Sequence, residues 1–181
     1  MFGLAIFLLG MPLNTSFDSN LQELIQAREL FYQSVEDKAQ IKPAMKLFKK
    51  IYERGDVDNG RALTYIGALT ALKGKHALMP HTKYKWVMKG LDLMDQGLAM
   101  NPDDIEALFI HGSTCYHLPF FFNRKDDAQR DFKRIVRLLP AHLTQYDSTL
   151  ILNVIEFLEQ HAKLNADEIK TIRKLKIDRG T

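Results

Sequence analysis

Apolar side chains in this chain recur every three or four residues, segment after segment, and nowhere alternate with polar ones over the length of a strand. That period places them on one face of a helix, and such a face has to be covered by another helix. The first stripe is Leu21, Leu24, Ile25, Ala27, Leu30, Phe31 and Val35, with Ser19 or Asn20 as N-cap and an end near Glu36. The second is Ala44, Leu47, Phe48, Ile51 and Tyr52, with Pro43 in its first turn and Gly55 as its stop. A turn over 56–60 leads to a third helix carrying Ala62, Leu63, Ile66, Leu69 and Leu72, then to an irregular stretch over 73–82. A fourth helix is predicted over 83–100, a fifth over 105–117 and a sixth over 126–138, stopped by Pro140. A seventh covers about 144–161, and an eighth covers 167–175, capped by Asn165. Short connections make neighbouring helices antiparallel, so the fold class is all-α, in about four helical hairpins.

Composition agrees and narrows the chemistry. A chain of 181 residues with 46% hydrophobic and 26% charged side chains can build one domain with a core and is not broadly disordered. A net charge of +3 selects no partner class. The single cysteine, Cys115, excludes an intramolecular disulfide and a four-cysteine zinc site.

Residues 1–13 carry no charged side chain. The run is too short for a membrane span of about 20 residues but suits the apolar core of a secretory signal. Segment 1–16 is read as a signal peptide or N-terminal hydrophobic anchor, 17–177 as the helical domain and 178–181 as a polar tail. Export, to a periplasmic, extracellular or membrane-anchored location, follows if the run is a signal; otherwise the protein is cytoplasmic.

In the sixth helix Ala128 is followed by Phe132 four residues later and Pro140 twelve residues later; in the fifth, His111-Gly112 follows Leu108, and Pro102 precedes Gly112 by ten. Ala44 and Phe48 repeat the small-to-aromatic step, Gly67 falls near a first-helix glycine position, and Gly90 and Met94 stand in for the small and aromatic residues of the second hairpin. This pattern resembles the tetratricopeptide repeat over about residues 20–162. The spacing from Pro102 to Pro140 is longer than that family's 34 residues, and its Trp and Tyr positions are largely unfilled. The resemblance implies a right-handed superhelix with a concave face that binds a peptide or protein segment and carries no catalytic residues.

Three places are candidates for contact. The concave groove implied by the resemblance would be lined by first helices, through Arg61, Thr64, Glu106, Phe109, Ser113 and Tyr116. The stretch 73–89 holds five lysines, two histidines and no acid, and supplies Lys73, Lys75, His76, Lys83 and Lys85 as a positive patch. Its competing reading is a solvated face with Trp86 and Met88 packed inward. The turn 118–122 sets Phe120, Phe121 and Phe122 in a row, either as an interface or folded under the hairpin. Both segments join first to second helices, so they are expected side by side.

His111, Cys115 and His117 invite a metal, but at 100° per residue His117 points away from the other two, so no metal or other cofactor is expected. No phosphate loop, zinc-protease motif or nucleophile elbow is present, and the acid pairs Asp103-Asp104 and Asp126-Asp127 open helices, where they suit the dipole. The expected function is non-catalytic binding of a protein or peptide, with contact to a lipid surface as the alternative. Nucleic acid ranks last, because no arginine cluster accompanies the lysines.

Overall fold

The computed structural model describes residues 15–55 and 58–180. The apolar run, and with it the signal or anchor reading, lies outside the described residues, as do residues 56 and 57 of the expected turn. Among the described residues the chain is all-α. The helices are α1 (Thr15–Gln33), α2 (Ile41–Arg54), α3 (Asn59–Lys75), α4 (Pro80–Met100), α5 (Ile105–His117), α6 (Lys125–His142), α7 (Ser148–His161) and α8 (Ala166–Gly180). Single 3-10 turns lie at Lys38–Gln40, Phe120–Phe122 and Leu143–Gln145.

Local chemistry explains most boundaries. Asp58, Asp104 and Asp147 cap α3, α5 and α7 by accepting from backbone N–H groups of the first turn. At α8, Asn165 Oδ1 accepts from Glu168 N at 2.9 Å and Glu168 Oε2 accepts from Asn165 N at 2.8 Å, a reciprocal capping box. Gly55 closes α2 in the left-handed region, φ 68°.

Several boundaries differ from the sequence reading. α1 starts upstream of Ser19 and Asn20 and ends at Gln33 rather than near Glu36. The carbonyls just beyond that end are taken by α3: Lys75 Nζ donates to Val35 O at 2.6 Å, and His76 Nε2 meets Ser34 O at 3.3 Å. Pro140 does not stop α6, which runs two residues further. In the last turn the proline removes a single hydrogen bond, the one to the Val136 carbonyl, and the helix continues past it. The backbone of α8 continues through residue 180, past the expected end at 175. The irregular stretch 73–82 shrinks to residues 76–79, because α3 runs through Gly74 to Lys75 and Pro80 opens α4.

Consecutive helices pair as hairpins, α1 with α2, α3 with α4, α5 with α6 and α7 with α8, while α3 also lies against α2 and α5. Ala44, Phe48, Ala128 and Phe132 are wholly buried. A Cβ on Gly112 would lie 2.8 Å from the Phe132 ring, and one on Gly67 would lie 2.6 Å from Met94 Cγ. First-helix glycine therefore faces second-helix aromatic or methionine in both central hairpins. In α3–α4 the approach is closer still, backbone on backbone: Gly60 faces Gly97, Gly67 faces Gly90 and Gly74 faces Lys83. Each step of seven along α3 meets a step of seven back along α4.

The hairpins define two ends. Glu23 of α1 pairs with Lys50 (2.7 Å) and Arg54 of α2 at one end. The connections 34–40, 76–79 and 118–124 gather at the other, called here the turn end.

Candidate functional site

At the turn end the α3–α4 and α5–α6 connections are neighbours. The Tyr84 ring, one turn into α4, stacks on Phe122 with centroids 5.6 Å apart and planes 14° from parallel. α3 runs eight residues past Gly67 to Lys75, whereas α5 runs five past Gly112 to His117, so the second hairpin reaches further out. Leu78 at its tip is 93% exposed and Phe120 is 86% exposed. Met79, Phe121 and Tyr84 are also exposed, while Phe122 packs on the core. The Phe row thus splits: Phe122 tucks in, and Phe120 and Phe121 face outward. Its 3-10 turn satisfies its own backbone, Phe122 N donating to Pro119 O (3.1 Å) and Asn123 N to Phe120 O (2.9 Å).

The five positive candidates also divide. Lys75 and His76 are engaged at the end of α1, with Lys75 also 2.9 Å from Glu36. Lys73 is partly buried, its ammonium 5.0 Å from the Trp86 ring centroid. Partial burial, then the positive charges of Lys49 and Lys89, hold its pKa below the ordinary lysine value. Lys83 and Lys85 are exposed on the first turns of α4. Beside this patch lies a shallow hollow of about 580 Å³, lined by Ala39, Ile41 and Met45 together with Lys38, Lys42 and Lys73.

The groove candidates fare differently. Thr64, Glu106 and Phe109 are buried and offer no surface, which corrects their assignment as an exposed lining. Each fills a different helix seam: Thr64 lies against Gly97 of α4, Phe109 against Phe157 of α7, and Glu106 between α5 and the Arg28 and Tyr65 of α1 and α3. Thr64 Oγ1 donates to Gly60 O at 2.8 Å, and Phe109 meets the Phe157 ring edge-on at 5.4 Å. Glu106 accepts from Arg28 Nε (2.6 Å) and Nη2 (2.5 Å) and from Tyr65 OH (2.7 Å), with Arg61 Nη1 at 3.3 Å. Burial opposes its charge, but Arg61, Arg28 and Tyr65 outweigh that and hold its pKa below the usual range. Arg61 is committed as well, with Nη2 2.5 Å from Asp104 Oδ2 and its guanidinium 5.4 Å from the Tyr146 ring. Ser113 and Tyr116 are partly exposed; the Ser113 hydroxyl donates to Ile110 O at 3.3 Å, and Tyr116 packs among Phe132, Phe157 and His161. Arg28 was not anticipated, since nothing local links it to an acid 78 positions away.

A second polar cluster, buried at His111, Cys115 and Asp131 and open to solvent at Asp95, joins α4, α5 and α6. His111 Nδ1 lies 2.5 Å from Asp131 Oδ2, Nε2 lies 3.1 Å from Asp95 Oδ1, and Cys115 Sγ is 3.6 Å from Nε2. Arg124 Nη2 also reaches Asp95, at 2.6 Å. Burial pulls the His111 pKa down, but Asp131 and Cys115 more than offset it, and the pKa is pushed up to about 10. His117 donates instead to Ser113 O at 2.8 Å. Among the described residues no group of His, Cys, Asp or Glu is arranged to hold a metal ion.

No family model, curated protein or solved structure matches the chain. Its reading therefore rests on its own residues. The titratable side chains inside are spent on one another, and the two most exposed large apolar side chains among the described residues, Leu78 and Phe120, both lie at the turn end.

Proposed function

We propose that the protein is a non-catalytic binding module of the tetratricopeptide-like kind, its four hairpins wound into a right-handed superhelix, and that it docks on a macromolecular partner through its turn end. One observation carries this reading. Leu78, Met79, Phe120 and Phe121 are exposed on two connections held together by the Tyr84–Phe122 stack. Solvent-facing apolar side chains are ordinary singly, but a cluster on a shared rigid edge is the mark of an interface. The superhelical reading is supported by the order of the hairpins and by the first-helix glycine contact that recurs in the two central hairpins, Gly67 on Met94 and Gly112 on Phe132. The groove is the lesser site, because half of its candidate residues are buried.

Export remains part of the proposal and rests on residues 1–16. No described helix is long and apolar enough to cross a membrane. The mass of the mature protein tests it: a chain beginning near residue 17 supports a cleaved signal.

A photo-crosslinking residue placed at position 121, and separately at 113, in the full chain tests the docking surface. Adducts from position 121, identified by mass as protein or lipid, are expected. Adducts from 113 alone would return the site to the groove.

A further inference from the structure

The turn end also has a shape and a charge that select the kind of partner. We infer that it docks on an anionic phospholipid bilayer, with Leu78, Met79, Phe120 and Phe121 entering the acyl boundary and Lys83 and Lys85 meeting the phosphate headgroups. This rests on the turn end being the contact surface.

Shape is the first argument. At 93% and 86% exposure, Leu78 and Phe120 protrude with almost no protein around them. A peptide ligand gains most from a concave site that surrounds it, and these side chains form no such site. A bilayer asks for no matching contour, only for apolar side chains that project beyond their polar neighbours.

Backbone chemistry is the second, and it limits the depth of entry. Phe122 N and Asn123 N are bonded within the Phe turn and Ala77 N donates to Gly74 O, but among the described residues the N–H groups of Leu78, Met79, Phe120 and Phe121 donate to no backbone carbonyl. Those four side chains therefore enter while their backbone stays among water and headgroups.

Charge is the third. From Lys73 to Lys89 the chain carries five lysines and no acid. The acids at this end are Glu36, paired with Lys75, Asp37, which accepts from Ala39 N and Gln40 Nε2, Asp127, paired with Arg124 and Arg130, and the exposed Asp126. Lys83 and Lys85 are exposed, and the neighbouring Tyr84 and Trp86 are the ring types that settle at headgroup level. Phosphate surfaces attract clustered lysine through a long-range field, and that attraction fades with salt.

Co-sedimentation of the full chain with vesicles decides the matter, using phosphatidylcholine alone and phosphatidylcholine with roughly a third phosphatidylserine. The wild type is expected to sediment with the anionic vesicles, less so as salt rises. Leu78→Glu with Phe120→Glu should lower partition at least about tenfold. Lys83→Gln with Lys85→Gln should lower it about fivefold per lysine on the anionic vesicles only. Both pairs lie on exposed positions, and circular dichroism confirms that the helices are kept. Equal partition of wild type and the Leu78/Phe120 variant, equal binding to neutral and anionic vesicles, or no binding at low salt would each overturn the bilayer. If vesicles are ignored while a crosslinker at position 121 captures a protein, the bilayer is wrong and the turn end stands as the docking surface. If neither binds, both readings fall.

Discussion

Glu106 and His111 mark where charge has been taken into the interior, and their stability effects are separable. Removing one member of a buried ion pair leaves the other uncompensated, which costs about 3–5 kcal/mol. Glu106→Ala, stranding Arg28 and leaving Arg61 with Asp104 alone, is therefore expected to lose that much in urea unfolding, while Ser113→Ala should lose under about 1 kcal/mol. For His111 the folded pKa lies above the ordinary value of 6.5, at about 10. Its contribution is thus fully present below pH 6.5 and is lost as pH rises toward 10. The gap in unfolding midpoint between wild type and His111→Gln should narrow steadily over that window; a gap independent of pH would show that His111 is neutral in the folded chain. The residue-level signals split by range. Ala44, Phe48, Ala128, Phe132 and Gly112 were legible because a repeat pattern writes them at fixed spacings. The Arg28–Glu106 pair was not, because it depends on how α1 and α5 stack across α3.

Elements were read well where a cap or apolar stripe fixed them and poorly where tertiary contact overrode a local signal. Gly74 and Pro80 look like breakers, and together they suggested a loop. In the fold Gly74 stays helical because α4 passes against it: a Cβ there would lie 2.8 Å from Lys83 O. Pro80 sits where a helix tolerates proline best, in the first turn of α4. The seven-residue glycine steps at 60, 67, 74 and at 90, 97 were the available signal for this close pair, and they make a prediction. Gly67→Ala gains about 1 kcal/mol of helix propensity. Its methyl, however, would sit 2.7 Å from Gly90 O and from Met94 N, backbone atoms that cannot swing aside. Overpacking of that kind costs about 1–3 kcal/mol, so the net change should be destabilising and should show as a lower melting temperature. A stabilised Gly67→Ala would mean that α3 and α4 stand further apart.

At the scale of the whole molecule the hairpins give the protein a polarity. α1 carries 19 residues, so its first residue lies about 27 Å along the axis from its last, which abuts the turn end. A bilayer held at the turn end therefore leaves the start of α1 about a helix length away, and any anchor formed by the preceding apolar run has to span that distance. Met100, exposed where α4 ends on the far side, is the natural control for apolar character alone.

An environment-sensitive fluorophore attached at position 121, and in a second preparation at position 100, reports which end meets the partner surface. On titration with anionic vesicles the account predicts a blue shift and enhancement at 121 and none at 100. A response at 100 with silence at 121 would contradict it.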